Sequence, residues 1–101
     1  MTTTWPFADP PNVAVFVSQR ILDLTEWIYY VSHHEEDGAW VFHPKSGLTP
    51  ESEMKVVALK TILALDPSVA MLADLAPGWS AWREESGAEW QRTKIEIPDG
   101  G

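Results

Sequence analysis

The fold of this chain is decided by residues 27–43, which have the sequence WIYYVSHHEEDGAWVFH. Two runs rich in aromatic and β-branched residues, 27–34 and 39–43, flank the dipeptide Asp37-Gly38. This dipeptide is a strong hairpin signal, because a type I′ turn needs positive φ at both of its central positions. We therefore predict two antiparallel strands joined by a two-residue turn.

The predicted hairpin has one face that is more apolar than the other. In this register Glu36 lies opposite Ala39, and His34 lies opposite Val41. Alternation then gives a first face with Trp27, Tyr29, Val31, Trp40 and Phe42, and a second with Ile28, Tyr30, His34, Val41 and His43. We expect the first face to line the core.

The segment before the hairpin divides into a lead-in and a strand. Residues 1–12 contain three prolines, which prevent a continuous ladder, so we expect an extended lead-in pinned by Trp5 and Phe7. Residues 13–17 (VAVFV) are apolar on both strand faces, which predicts a strand covered on both sides. Residues 18–23 fit either a helical turn or the end of that strand.

The segment after the hairpin predicts helices. After a loop at 44–48, Thr49-Pro50-Glu51 has the residues of a helix start, and apolar residues at 3- and 4-residue spacing favour one helix from Pro50 to about Leu65. Residues 56–59 (VVAL) leave open a brief strand before a shorter helix. Asp66-Pro67-Ser68 repeats the cap-then-proline pattern and predicts a short helix over residues 67–73.

A closing hairpin is predicted over residues 79–84 and 88–92. Gly87 provides the left-handed position of its turn, and Trp82 then lies opposite Trp90. Ile95 and Ile97 extend the last strand.

The predicted fold class is α+β. We expect a small antiparallel sheet of about five strands in two hairpins, packed with one longer and one short helix. Residues 1–12 form the lead-in, residues 13–97 a single domain and residues 98–101 a flexible tail.

Composition narrows the classes of function. The 101 residues carry a net charge of −8, from 15 acidic and 7 basic side chains, which disfavours nucleic acid and anionic membranes and suits a basic protein partner. There is no cysteine, which removes disulfides, thiolate metal sites and thiol nucleophiles. The sequence shows no signal peptide or membrane-spanning run, so we expect a cytoplasmic protein.

One candidate for metal binding stands out in the sequence. His34 and His43 are diagonal neighbours in the predicted register, with Glu36 on the same face, so a site of two histidines and one carboxylate is conceivable. The alternative is a solvated hairpin tip, which we favour because the spacing matches no ligand motif. The paired carboxylates Glu35/Glu36 and Glu84/Glu85 are also read as solvated turns.

The sequence offers no other catalytic motif. No serine lies in a nucleophile elbow, and no glycine-rich phosphate loop is present. We therefore expect no catalytic residue, no bound metal and no cofactor, which favours a binding protein over an enzyme.

The six tryptophans divide between core and surface. Trp40, together with Trp27 or Trp82, is expected in the core, and one of Trp5, Trp79 and Trp90 is expected to be partly exposed. Exposed tryptophan beside acidic residues is typical of a protein-binding surface. The predicted partner-binding residues are Glu35, Glu36 and Asp37 at the hairpin tip, with Trp79 and Trp82.

The order of several short motifs resembles the bacterial immunity-protein-33-like domain family, whose function is unknown. The motifs are VFVS at 15–18 with RIL at 20–22, DGAWVF at 37–42, and IL at 62–63 with DPS at 66–68, followed by Gly78 and Ala81. The resemblance covers residues 13–91. It implies a small α+β cytoplasmic protein of bacteria, and some relatives are thought to neutralise toxins. It implies no catalytic residues.

These observations give one leading expectation and two alternatives. The leading one is a non-catalytic, immunity-like binding protein whose acidic surface meets a basic partner. The first alternative is a small metal-dependent enzyme or ligand-binding domain centred on His34 and His43. The second is a subunit that covers tryptophan surface in a homodimer.

Overall fold

The computed structural model describes residues 5–45 and 51–95. The strands are β1 Ala14–Ser18, β2 Tyr30–His33, β3 Trp40–His43, β4 Met54–Ala58, β5 Trp79–Trp82 and β6 Gln91–Lys94. The α-helices are α1 Gln19–Leu22 and α2 Leu59–Leu65, and 3₁₀ helices cover Glu51–Glu53 and Pro67–Leu72. The predicted helix start at Thr49-Pro50, the extension to Ile97 and the tail at 98–101 lie outside the described residues.

Within the described ranges the six strands form one mixed sheet in the order β4-β1-β3-β2-β5-β6. Neighbours are antiparallel except β1 and β3, which run parallel. After β1 the chain crosses to β2, which lies one position beyond β3 in the sheet. The hairpin then brings β3 back into the place between β2 and β1, where it runs parallel to β1. The α+β class is confirmed, but the sheet has one more strand than predicted and is not purely antiparallel.

The core lies on one face of the sheet. Val15, Val17, Val31 and Phe42 are buried from the sheet side, and they pack against buried residues of the helical segments, namely Ile21, Leu59, Ile62, Val69 and Leu72. On the opposite face of β1, Ala14 is exposed and Phe16 keeps 40% of its surface exposed. The prediction that this strand is covered on both sides is therefore wrong.

The central hairpin is confirmed, but its register is not. Ser32 lies opposite Val41 and His33 opposite Trp40, and His34 N donates to Ala39 O across a loop of residues 35–38. Asp37 does not have the positive φ of a type I′ turn, whereas Gly38 has φ 72°. The observed register differs from the predicted one by two residues, which leaves Val31, Trp40 and Phe42 on the predicted core face. Ile28, which precedes β2, was predicted on the other face but is buried.

The segment 54–65 follows the alternative prediction rather than the preferred one. Met54–Ala58 pairs along its whole length with β1, and the α-helix begins only at Leu59. Two carbonyl oxygens at the end of the lead-in and just after it fix this start, because Lys60 N donates to Pro11 O and Leu59 N donates to Val13 O. These bonds satisfy helix N–H groups that lack a side-chain cap.

The short helix after Asp66 is confirmed with 3₁₀ geometry. The Asp66 carboxylate accepts from Ser68 N, as the cap pattern predicts. Burial raises the pKa of Asp66, but hydrogen bonds from Ser68 and Arg83 and the charge of Arg83 outweigh it, so its pKa lies below the usual value.

Arg83 joins this capped turn to the sheet. Its side chain is 1% exposed and donates from Nε to Ile28 O at 2.9 Å, from Nη1 to Ser68 Oγ at 2.9 Å and from Nη2 to Asp66 Oδ2 at 2.5 Å. The guanidinium also lies 4.2 Å from the ring centre of Trp90 and 5.6 Å from that of Trp27. One buried cation therefore connects the segment before β2, the capped turn and the closing hairpin.

The same contacts explain why the closing hairpin differs by one residue from its predicted register. Trp90 Nε1 donates to Ser68 O at 3.3 Å, and its ring packs on Arg83, so Trp90 leaves the ladder. Trp82 consequently pairs with Gln91 rather than with Trp90. Gly87 has positive φ as predicted, and Ile95 N continues the ladder by donating to Gly78 O.

We predict that Arg83→Met lowers the free energy of unfolding by about 3–5 kcal/mol, because Asp66 Oδ2, Ser68 Oγ and the buried Ile28 O all lose the donor that Arg83 provides. Urea denaturation followed by tryptophan fluorescence measures this. Arg92→Met is the matched control: Arg92 pairs with the exposed Asp74, so its loss should cost only a small fraction of the loss at Arg83. Equal effects of the two substitutions would contradict the role given to Arg83.

Candidate functional site

The acidic hairpin tip, residues 35–38, lies at one end of the sheet. Glu35, Glu36 and Asp37 are exposed, and Asp37 Oδ1 accepts from Ala39 N at 3.0 Å. A Cβ placed on Gly78 would lie 3.5 Å from Glu35 Oε2, so Glu35 lies over the start of β5. The loop is thus held against a segment more than forty residues away in sequence.

The predicted partner-binding residues divide between the two ends of the sheet. Trp79 lies opposite His33, next to the acidic tip, and is 37% exposed, as expected for one of the surface tryptophans. Trp82 lies opposite Tyr30 at the other end of β5 and is half-buried. The structure therefore brings Glu35, Glu36, Asp37 and Trp79 together and leaves Trp82 apart.

A cleft of about 580 Å³ lies beside the acidic tip. Three carboxylates, from Asp9, Asp37 and Asp74, line it together with His33, and none of its described lining residues is Lys or Arg. The remaining lining is small or apolar, including Val13, Leu75 and Pro77. We call this feature the acidic cleft.

His33 forms the most buried polar part of the acidic cleft. It is 8% exposed, and its ring stacks on Trp40 with ring centres 3.8 Å apart and planes 13° apart. Its Nδ1 lies 2.8 Å from Leu75 O. Because a carbonyl oxygen can only accept, Nδ1 must carry a proton, which leaves Nε2 as the acceptor nitrogen of the neutral ring.

The lead-in supplies the opposite wall of the acidic cleft. Asp9 Oδ2 accepts from Trp40 Nε1 at 2.9 Å, and Phe7 is buried edge-on against the Trp40 ring at 5.3 Å. Trp5 Nε1 donates to Asp9 O at 2.5 Å. The expectation that Trp5 and Phe7 pin the lead-in is confirmed, and so is the core position of Trp40, which is 2% exposed.

A second acidic group lies at the other end of the sheet. Glu84, Glu85 and Glu89 line a cleft of about 300 Å³ with Trp82. Lys45 lies nearby, and its Nζ donates to Glu84 O at 3.1 Å. The described residues that line this second cleft include no buried histidine. It therefore offers negative charge but no buried ring nitrogen as an acceptor.

The histidines of the metal hypothesis lie on the opposite face of the sheet. In the observed register His34 is opposite Ala39 and His43 is opposite Tyr30, so the two are further apart along the strands than the predicted diagonal. Among residues 5–45 and 51–95, no group of three or more His, Asp or Glu side chains is arranged to hold a metal ion. The geometry on which the hypothesis was based is therefore not observed.

His34 instead contacts Ser32, with Nε2 and Oγ 3.2 Å apart. A serine and a histidine at this distance could form a nucleophile and its base. In the described part of the chain, however, His34 Nδ1 has no hydrogen-bond partner that would orient the ring, as the third group of a catalytic triad does. This pair therefore gives weak support to catalysis.

His33, Asp9 and Arg83 were not singled out by sequence reasoning. For His33 a signal was present, because alternation places it on the core face beside Val31. Nothing local links Asp9 to Trp40 or Arg83 to Asp66, since these pairs are separated by 31 and 17 residues.

The chain matches no protein-family model, and no curated protein or solved structure is significantly similar to it. The resemblance to immunity-protein-33-like domains stays a prediction from the sequence. No helix in the described residues is long and apolar enough to cross a membrane.

Folding stability should depend on the protonation of His43. Burial and the charge of His34 lower the pKa of His43, so the unfolded chain takes up its proton at a higher pH than the folded chain. This contribution is fully present above the ordinary pKa of about 6.5 and is lost as the pH falls below it. We expect His43→Asn to lose less stability on acidification than the unsubstituted chain.

Urea denaturation at pH values either side of that pKa measures the difference. His34→Asn removes the repulsive charge but leaves His43 buried, so its loss on acidification should be intermediate. Equal losses in the unsubstituted chain and in His43→Asn would show that another group is responsible.

Proposed function

We propose that this chain is a non-catalytic protein-binding module, immunity-like in type and cytoplasmic, which holds a basic partner at the end of the sheet that carries the acidic tip. The observation that supports it best is the joining of an exposed acidic loop to an acidic cleft, with the indole of Trp79 beside them. Aromatic side chains next to charged ones are common at the centres of protein interfaces.

Charge supports a basic partner more than any other class. A net charge of −8 on a short chain speeds encounter with positive surfaces and repels phosphate backbones. At the acidic tip the glutamates are exposed, and Glu35 and Glu36 form no ion pair with a described residue. Their charge is therefore available to a partner.

The two acidic ends of the sheet allow a matched test of this proposal. Glu35→Lys/Glu36→Lys and Glu84→Lys/Glu85→Lys change the net charge equally but at opposite ends. We expect the first pair to weaken binding of a fluorescein-labelled arginine-glycine repeat peptide by about tenfold and the second pair by no more than about twofold. Fluorescence anisotropy at low and high salt measures both.

The unsubstituted chain should also lose affinity as salt rises, since the attraction is between exposed charges. Equal weakening by both pairs would mean that only net charge matters and would overturn the assignment to the acidic tip. Binding that ignores salt would overturn the electrostatic part of the proposal.

A second candidate function is self-association through the face of the sheet on which none of the described helices packs. In the described strands none of the side chains on this face is Asp, Glu, Lys or Arg, and Phe16 and Val56 are 40% and 60% exposed there. In a strongly acidic chain, an uncharged face is where a second copy can approach with least repulsion. We therefore propose that two copies of this chain form a homodimer through this face.

The size of this face limits how stable such a dimer can be. Strands about 4.8 Å apart with a rise of about 3.3 Å per residue give a face of roughly 25 by 15 Å, which is about half of the ~800 Å² that each partner buries in a standard interface. We therefore expect association only at high protein concentration.

Sedimentation velocity at two concentrations tests the dimer. Val56→Lys places a charge on the face and should abolish the concentration dependence. Met71→Lys is the matched control, because Met71 is 69% exposed but lies in the helical layer. A monomer at both concentrations, or equal effects of the two substitutions, would contradict self-association through this face.

A further inference from the structure

We infer that the acidic cleft receives the guanidinium group of an arginine side chain on the partner protein, with His33 Nε2 and Asp9 as its acceptors. This inference rests on the proposed function and specifies the chemistry of its contact. The acidic tip alone does not select arginine, because exposed glutamates attract lysine and arginine alike.

The first acceptor is the free nitrogen of His33. The hydrogen bond to Leu75 O fixes the proton on Nδ1, and stacking on Trp40 fixes the plane of the ring. Nε2 then makes no hydrogen bond within the described part of the chain, yet it is not sealed from solvent. More than nine-tenths of His33 is buried, so the acidic cleft is the route by which this acceptor meets a donor.

The second acceptor is Asp9. Its Oδ2 is used by Trp40 Nε1, whereas its other carboxylate oxygen makes no hydrogen bond with a described residue. Both acceptors are attached to one indole, since His33 stacks on the Trp40 ring and Asp9 binds its nitrogen. Their relative position is therefore fixed before any partner arrives.

The two other carboxylates of the acidic cleft have different roles. Asp37 Oδ1 accepts from Ala39 N, and Asp74 pairs with Arg92 at 2.8 Å while remaining mostly exposed. Asp37 adds negative potential beside the cleft, whereas the charge of Asp74 is balanced by Arg92.

A guanidinium suits these acceptors better than an ammonium or a metal ion. It is planar, presents donors in a fixed fork and is weakly hydrated, so it can bridge a carboxylate oxygen and a ring nitrogen. An ammonium is more strongly hydrated and lacks the fork. A metal ion would find too few ligands in the described residues.

The test uses the full chain and three short peptides that differ in one side chain: arginine, lysine or citrulline, which keeps the shape of arginine but not its charge. Nitrogen NMR of the His33 ring and of the Trp40 indole follows binding at the cleft. We expect the arginine peptide to shift the Nε2 resonance and to bind about tenfold more tightly than citrulline.

Substitutions separate the two acceptors from the fold. His33→Asn retains a donor near the position of Nδ1 but removes Nε2, whereas His33→Gln retains an acceptor near Nε2. Asp9→Asn keeps an oxygen for Trp40 Nε1 and removes the charge. We expect His33→Asn and Asp9→Asn to lose about tenfold in affinity for the arginine peptide, and His33→Gln to lose less. His34→Asn, on the other face, should have no effect.

The outcomes distinguish this inference from the proposed function. If the arginine peptide binds and is weakened by Glu35→Lys/Glu36→Lys, but leaves the His33 resonance and the Asp9→Asn affinity unchanged, the inference fails and the proposed function stands. Equal binding of citrulline also overturns the inference. If arginine and lysine peptides bind nowhere near the acidic tip, both fail. Should His33→Asn not fold, Asp9→Asn and the ring resonance decide alone.

Discussion

The arrangement of this protein depends on one buried cation, Arg83. Removing a guanidinium from water costs several kcal/mol unless its donors are satisfied, and here three of them meet acceptors while two indoles cover its faces. These partners come from the segment before β2, the turn after α2 and the closing hairpin. Together these contacts constrain the position of the turn after α2 relative to the sheet. Arg83 therefore fixes where the helices lie on the sheet.

This one-sided packing has consequences for the surface. With the described helices on a single face, the other face is partly exposed, since Phe16 and Val56 are 40% and 60% exposed there, although Ser80 is 1% exposed. The acidic side chains of the two hairpins are confined to the ends of the sheet. Tryptophan therefore serves three different purposes: core packing at Trp40, cover for a cation at Trp90 and surface at Trp79.

The sequence predicts well those features of the fold that a local residue pattern determines. The faces of the paired residues in β2 and β3 were correct although their register was wrong by two residues, because alternation has a period of two and an even slip leaves each side chain on its face. The cap at Asp66 was also correct, since its partner Ser68 is two residues away. Apolar spacing over residues 54–65 fitted a helix as well as a strand, and only pairing with the distant β1 decides between them.

The candidate site shows the same division between features that are set locally and features that depend on distant pairing. The acidic tip was predicted because the turn is local, but its proximity to Trp79 depends on pairing between β2 and β5, which no local signal gives. A slip of one residue in the closing hairpin was enough to remove Trp90 from its predicted place opposite Trp82. This slip is caused by the contact of Trp90 with Arg83. Nothing in the sequence indicates that the charged side chain of Arg83 is buried.

The acidic cleft is itself a product of long-range assembly, and this bears on how it can work. Its walls come from the lead-in, the central hairpin and the segment after the 3₁₀ helix, and they meet on the indole of Trp40. The same lead-in also holds the start of α2 through Pro11 O, and the next residue but one, Val13, does so through its own carbonyl oxygen. A ligand that bridges Asp9 and His33 would therefore connect two of these segments directly, and by linkage it would stabilise the docking of the lead-in and with it the first turn of α2. Such a ligand would couple binding at the cleft thermodynamically to the integrity of the helical layer, although Arg83 and the cleft share no residue.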